Sequence, residues 1–150
     1  MNTKNLILHT VQLLQHEISP KTGIDLNAEQ LDVLPAASLL LSYNLSPLRQ
    51  KHLLAIYIAI TFASNRHYGS NHTTHEELIR KILDGDYLYS LYIELCLRYE
   101  EHDLFTHLAP LVKQMQIDRF NGVYNDSLLL GGLETFLKLN CSDGKISKAI

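Results

Sequence analysis

Residues 84–90 read Asp84-Gly85-Asp86-Tyr87-Leu88-Tyr89-Ser90, and they lie inside a long apolar segment, residues 78–99. Its apolar residues recur at helical spacing on more than one side, which predicts one helix, roughly 37 Å long over residues 75–99, that is covered from two sides. Gly85 costs about 1 kcal/mol relative to alanine in mid-helix, so we expect it to admit a neighbouring backbone or large side chain. Asp86, if buried, needs hydrogen-bond donors. The alternative is that Asp84-Gly85-Asp86 breaks the segment into two helices.

Helix start signals mark the two longest predicted helices. Ser46 followed by Pro47 is a preferred N-cap and first helical residue, and the apolar helix that they begin is predicted to run to about Asn65. This helix is apolar on most of its circumference, which is typical of a central position. Thr74 with Glu77 forms a capping box, and it predicts where the long helix begins.

The remaining boundaries are predicted by proline, glycine and capping residues. Asn27 with Gln30 is a second capping box, and Pro35 is predicted to break the helix that follows, leaving a second piece over residues 39–43. The other predicted boundaries are the end of the first helix before Ser19-Pro20, a cap at Asp103 for a helix over residues 104–117, a turn at Asn121-Gly122, and a last helix over residues 127–139. No segment alternates with the period of a strand, so the prediction is a single all-α domain, residues 1–150, of about six helices with a loose tail at residues 141–150.

The composition excludes some classes of function. The net charge is −3, and no basic stripe or aromatic platform indicates nucleic-acid binding. Cys96 and Cys141 lack CxxC spacing and are predicted to be free thiols of a reducing cytoplasm. No signal peptide and no apolar run of about 18 residues is found, so we expect a soluble cytoplasmic protein with no transmembrane segment. Only 19% of the residues are charged, which fits either a leucine-rich core or an apolar surface hidden by a partner.

The string Ile82-Leu83-Asp84-Gly85-Asp86-Tyr87-Leu88-Tyr89-Ser90 resembles the Gly-Asp-Tyr-Leu helix of trans-type polyprenyl diphosphate synthases. The helix before it falls where those enzymes carry their first aspartate-rich helix, so the resemblance covers about the middle half of the chain. It implies a truncated isoprenoid synthase fold. Members of the family are all-α and use magnesium to join isopentenyl diphosphate to an allylic diphosphate.

The chain departs from that family at the metal site. The family carries an Asp-Asp-x-x-Asp cluster on the preceding helix, because Mg²⁺ takes hard oxygen ligands and the leaving diphosphate must be neutralised. This chain reads Thr61-Phe62-Ala63-Ser64-Asn65-Arg66-His67 there, and residues 33–83 contain no aspartate. The arginine pair expected after the cluster is also missing. We therefore expect no catalysis by this chain alone, and no catalytic, cofactor-binding or metal-binding residue in it.

A short, aspartate-poor relative of this family is similar to the small subunits of heterodimeric hexaprenyl and heptaprenyl diphosphate synthases (component I). The resemblance implies an aspartate-rich large subunit as the partner, with Mg²⁺ bound on that partner, and a role of the pair in elongating a prenyl chain, such as the side chain of menaquinone. It also implies that the long helix lies at the subunit interface or at the product tunnel, where bulky side chains limit product length and could contact the prenyl chain. The residues so implicated are Gly85, Asp86, Tyr87, Leu88, Tyr89, Leu91 and Tyr92.

Other hypotheses remain open from the residues alone. His67, His72 and His75, with Glu76 and Glu77 beside them, contain ligand types suited to zinc or iron, although a polar loop and a capped first turn explain them as well. Residues 100–103 are predicted to be a solvated turn, and Gly131-Gly132 a helix kink or a close-packing point. The functional alternative is a helical protein–protein interaction module, for example a homodimer, which uses the same tyrosine-rich helix.

Overall fold

The structure, a computed structural model, describes residues 2–26, 32–68, 74–125 and 127–141. These residues form helices and connecting turns without a β-strand, so the predicted all-α class is confirmed. A short 3₁₀ turn, Pro20–Thr22, follows the first helix. The helices are α1 (Thr3–Glu17), α2 (Leu34–Leu41), α3 (Pro47–Tyr68), α4 (His75–Arg98), α5 (His102–Phe120) and α6 (Ser127–Asn140).

Helix α3 occupies the centre of the bundle. Ser46 Oγ accepts a hydrogen bond from the Arg49 N–H at 3.1 Å, and Pro47 is the first helical residue, as the sequence predicts. Residues 53–63 are buried apart from the half-buried Thr61, which is consistent with a helix that is apolar on nearly all sides. Helices α1, α2, α4 and α5 all pack against α3, and α6 packs against α5.

Helix α4 is one continuous helix that contains Gly85 and Asp86, so the string does not break it. Its capping box is confirmed: Thr74 Oγ1 accepts from the Glu77 N–H at 3.2 Å, and the Glu77 carboxylate accepts from the Thr74 N–H at 3.3 Å. Gly85 is buried in this helix. Helices α3 and α4 make the most extensive contact of any pair among the described helices.

The predicted bounds of the helical piece after Pro35 were wrong. Pro35 lies in the first turn of α2, which starts at Leu34 and ends at Leu41, whereas the predicted piece covers residues 39–43. Proline lacks an N–H group, but the first turn of a helix needs no donor there, so proline is tolerated at this position. The predicted capping box of Asn27 and Gln30 lies outside the described residues.

The start of α5 also differs from the prediction. The N-cap is Glu101 instead of Asp103, and the Glu101 side chain makes no capping hydrogen bond. Glu101 is buried, so a solvated turn is the wrong description of this residue, although Glu100, His102 and Asp103 are exposed. The predicted turn after α5 is confirmed, since Gly122 has a φ of 77°, which glycine adopts without strain.

Candidate functional site

The seven residues predicted to line an interface or tunnel occupy different environments on α4. Gly85, Leu88, Leu91 and Tyr92 are buried, so their side chains, or for Gly85 the backbone, belong to the bundle's own core. Two others, Tyr87 and Tyr89, are half-buried, and Asp86 is exposed. The structure thus brings most of the set together on the inner side of α4, and contact with a partner or a prenyl chain stays a prediction.

Two tyrosines of this set hold α4 to its neighbours. Tyr87 Oη accepts a hydrogen bond from the backbone N–H of Ser19 at 3.0 Å, which joins α4 to the turn after α1. The Tyr92 ring packs edge-on against Phe105 of α5, with ring centroids 5.9 Å apart and an interplanar angle of 86°. Burial, with smaller contributions from Cys96 and Tyr89, raises the pKa of Tyr92 to about 12. Tyr92 is therefore neutral at physiological pH and acts as a packing residue.

The buried carboxylate of the string is Asp84, not Asp86. Asp84 is 6% exposed, and the Arg80 Nε lies 3.4 Å from its Oδ1. The same guanidinium donates from Nη2 to the carbonyl oxygen of Thr22. Arg80 thus compensates the carboxylate in part and connects α4 to the 3₁₀ turn.

One side of α4 is not covered by the described chain. We call it the outward face of α4, and its residues are exposed along the full length of the helix. The aliphatic side chains Ile79, Ile82, Leu83, Ile93 and Leu97 are 46%, 39%, 60%, 40% and 57% exposed. Asp86 and Ser90, also exposed, complete this face. The prediction that α4 is covered from two sides was therefore wrong for the described residues, because only the opposite face of the helix packs against α3 and α5.

An open groove of about 490 Å³ borders the first half of the outward face. Ile79 and Leu83 supply its apolar surface. Charged side chains of both signs line the rest, namely Arg66, Glu76, Glu77, Arg80 and Lys81. An apolar side chain with neighbouring charges could enter this groove.

A separate cavity of about 280 Å³ lies beside α3. It is located where the enzymes of the resembled family carry metal-binding aspartates, which this chain lacks. Thr61, Ser64 and Asn65 contribute to its wall, and Thr61 Oγ1 donates to the Tyr57 carbonyl oxygen at 2.9 Å. The Ser64 hydroxyl is buried and has no hydrogen-bond partner among the described residues. Further residues that line the cavity are Asp32, Pro35, Met115, Arg119, Leu129 and Leu130. One carboxylate among the described lining residues is a poor match for Mg²⁺, which is usually held by more than one hard oxygen ligand.

Metal-ligand clusters and activated thiols are not found in the part of the chain that the structure describes. No group of three or more His, Cys, Asp and Glu residues there could hold a metal ion. The hypothesis of a site at His67, His72 and His75 is untested, because His72 and the His67 side chain lie outside the described residues. Both cysteines are free, as predicted, and burial, followed by the charge of Glu101, raises the pKa of Cys96 to about 12. Such a thiol is protonated and inert.

The aliphatic residues of the outward face, particularly Ile79, Ile93 and Leu97, were not among the residues predicted to form an interface. Their spacing in the sequence is a signal for such a surface. Counting positions 79, 83, 86, 90, 93 and 97 along the chain, the separations alternate between four and three residues. That spacing is typical of a helix that packs along another helix.

Comparison with known proteins adds no relative. No family model matches the chain, and no match is found among curated proteins or solved structures. None of the described helices has both the length and the apolar composition needed to cross a membrane.

Proposed function

We propose that this chain is a non-catalytic accessory subunit of a trans-polyprenyl diphosphate synthase, and that it docks on an aspartate-rich subunit through the outward face of α4. The observation that carries the proposal is the exposure of this aliphatic face on the same helix that bears the Gly-Asp-Tyr-Leu string. Exposed apolar surface of this extent on one helix commonly marks a protein contact.

The polar wall of the cavity beside α3 supports the non-catalytic part of the proposal. Thr61, Ser64 and Asn65 stand where the resemblance places metal-binding aspartates, and hydroxyl and amide groups cannot neutralise a leaving diphosphate. In the proposed complex, the partner's aspartates hold Mg²⁺ and supply the chemistry of diphosphate departure. This chain supplies the outward face of α4 as the surface on which the partner packs.

Product length is the property that α4 is proposed to influence. Its outward face, on which the proposed partner docks, carries the bulky side chains of Ile82, Leu83 and Ile93. A growing prenyl chain that met these side chains at the subunit contact would stop for lack of space, since forcing methylene groups into a packed layer is destabilising.

The test is co-expression of this chain with the aspartate-rich prenyl synthase encoded in the same genome. Co-purification and incorporation of labelled isopentenyl diphosphate are then measured for the pair and for each chain alone. We expect a stable pair that synthesises prenyl diphosphate and single chains that do not. Absence of both a complex and a gain in activity would refute the proposal.

Two leucines provide matched variants for that assay. Leu83 on the outward face is 60% exposed, and Leu48 in the first turn of α3 is 58% exposed. Leu83→Glu is expected to prevent pairing and activity, whereas Leu48→Glu should leave both intact. Equal effects of the two variants would show that the outward face is not the docking site.

A further inference from the structure

We infer that the outward face of α4 is self-complementary and packs antiparallel against the same face of a second copy of this chain. The contact residues are Ile79, Leu83, Asp86, Ser90, Ile93 and Leu97, which we call the α4 seam. Their separations alternate between four and three residues, which is the repeat that keeps one line of side chains facing a partner helix. All six are exposed in the single chain.

The seam is symmetric about Leu88. Ile79 and Leu97 lie nine positions to either side of it, and Leu83 and Ile93 lie five positions to either side. A two-fold axis at this point would place each aliphatic residue of one copy against an aliphatic residue of the other, because in a two-fold contact residue i meets j and j meets i. The pairs are Ile79 with Leu97 and Leu83 with Ile93, each formed twice.

The polar residues of the seam select the antiparallel orientation. Asp86 and Ser90 lie two positions to either side of Leu88, so the antiparallel arrangement places the Asp86 carboxylate opposite a Ser90 hydroxyl, which can donate to it. A parallel arrangement in register would instead place Asp86 against Asp86, and two like charges at a contact are repulsive. A polar residue inside such a seam typically fixes its register.

Flanking charges are complementary in the same arrangement. Arg80 and Glu94 lie on the same edge of the seam, near opposite ends, and each has an ion-pair partner on its own helix, Asp84 for Arg80 and Arg98 for Glu94. The two-fold axis brings Arg80 of one copy close to Glu94 of the other, so the ion pairs of the two copies can join into one network. The groove beside Ile79 and Leu83 is open to receive the Ile93 and Leu97 side chains of the second copy.

The size of the seam predicts a weak dimer. From Ile79 to Leu97 the helix rises about 27 Å, so one pair of helices forms the contact. Stable protein interfaces bury about 1,600 Å² in total, and one short helix pair is at the lower end of that range. The dimer should therefore dissociate on dilution.

The first test is the mass of the purified chain by sedimentation equilibrium over a wide concentration series. A dimer mass that falls to the monomer mass on dilution is expected. Leu83→Glu should remain monomeric throughout, and the matched variant Leu48→Glu should behave like the parent chain. A parent chain that is monomeric at every concentration would overturn the inference, as would a dimer that Leu83→Glu leaves unchanged.

The second test is orientation, measured by cross-linking single-cysteine variants in a Cys141→Ser background. Cys96 is fully buried and is left in place. Chains with Leu83→Cys mixed with chains with Ile93→Cys should form a disulfide-linked heterodimer, because these positions are opposed. Leu83→Cys alone should cross-link poorly, and efficient cross-linking of that variant with itself would indicate the parallel arrangement and overturn the antiparallel one.

The third test is a rescue of register. Ser90→Asp places two aspartates in each central layer and should abolish the dimer. Asp86→Ser combined with Ser90→Asp exchanges the two groups, restores the pairing and should restore the dimer. Circular dichroism of each variant checks that α4 is retained, and a double variant that folds but stays monomeric would contradict the pairing.

The inference does not rest on the proposed function, since it is tested with one purified chain. If both hold, a second copy and the aspartate-rich subunit use the same face and exclude each other. If this chain forms a homodimer but shows no prenyl synthase activity with the aspartate-rich subunit, the seam is established and only the proposed accessory role is refuted.

Discussion

Arg49 and Glu101 form a bidentate ion pair that joins the first turn of α3 to the start of α5. Arg49 Nε lies 3.0 Å from one carboxylate oxygen of Glu101, and Nη2 lies 3.0 Å from the other. Glu101 is only 7% exposed, so the guanidinium replaces the water that its carboxylate loses on folding. This hydrogen bond raises the pKa of Arg49, which keeps the arginine charged.

Replacing Glu101 by alanine should lower the free energy of unfolding by about 1–3 kcal/mol, since a hydrogen-bonded charged pair is lost and Arg49 remains partly buried. Urea denaturation measures the difference. The control is Asp103→Ala, two residues along in the exposed part of the same turn, where we expect a change of only a few tenths of a kcal/mol. Equal losses in the two variants would show that the ion pair contributes no stability.

His52 is predicted to make the stability depend on pH. Its ring stacks on Tyr99 with centroids 3.7 Å apart, and burial lowers the pKa of His52 below the usual 6.5. As the pH falls through 6.5, the unfolded chain binds a proton at this residue before the folded chain does, so the free energy of unfolding decreases. The decrease levels off below the folded-state pKa.

The measurement for His52 compares the parent chain with His52→Gln by urea denaturation from about pH 8 to about pH 5. The other seven histidines are common to both proteins, so their contributions cancel in the difference. The parent should lose more stability on acidification than the variant. Parallel pH profiles would rule out His52 as the source.

The two thiols should differ in reactivity. Cys96 is fully buried with a pKa raised to about 12, whereas Cys141 is half-buried, and its pKa is raised mainly by burial. A disulfide reagent at mildly alkaline pH should modify Cys141 first, and Cys96 should react only as fast as the chain opens. The Cys141→Ser variant isolates the slow phase, and a fast reaction in that variant would contradict the burial of Cys96.

The adjacent glycines of α6 provide a matched pair. A Cβ on Gly131 would meet no atom within 4 Å, so Gly131→Ala should stabilise the protein by about 0.5–1 kcal/mol through helix propensity. A Cβ on Gly132 would clash with Leu111 Cδ1 of α5, so Leu111 must move and the gain should be smaller or reversed. Thermal denaturation of the two variants measures the difference, and identical effects would show that α5 and α6 pack less closely than the structure indicates.

Tyr87→Phe should cost about 1 kcal/mol of stability, because the Ser19 N–H loses its acceptor. Urea denaturation measures the loss, and Tyr124→Phe, at an exposed tyrosine, is the control. Since phenylalanine keeps the ring, this variant should leave the product length of an active pair unchanged. A change in product length would indicate that the hydroxyl, instead of the bulk of Tyr87, is what a prenyl chain meets.

The starts of α3 and α4 were predicted correctly, because a helix cap depends only on residues that are close together in the sequence. Ser46 and Pro47, and Thr74 with Glu77, act within one turn of the chain, so their caps appear in the structure as predicted. The start of α2 was predicted too late, at residue 39 instead of Leu34, because proline both ends and begins helices and the residues near Pro35 do not decide between the two.

Contacts between distant residues were not predictable in the same way. Glu101 pairs with Arg49, 52 positions earlier, and nothing in the residues around Glu101 distinguishes a buried carboxylate from a solvated one. Periodicity likewise showed that α4 is apolar on more than one side. The alternating spacing of Ile79, Leu83, Ile93 and Leu97 indicates a helix-packing stripe, but whether the bundle covers that stripe depends on where α3 and α5 lie, so its exposure required the structure.

The central position of α3 has a consequence for the order in which the molecule folds. Its largest contact is with α4, the next helix along the chain, so this hairpin closes a short loop and needs little ordering of distant segments. Helix α1 must close a longer loop to reach α3, so its docking should come later. During synthesis the hairpin can form as soon as residue 98 has emerged, and α5 and α6 then pack against a nucleus that already contains every buried leucine of α3 and α4.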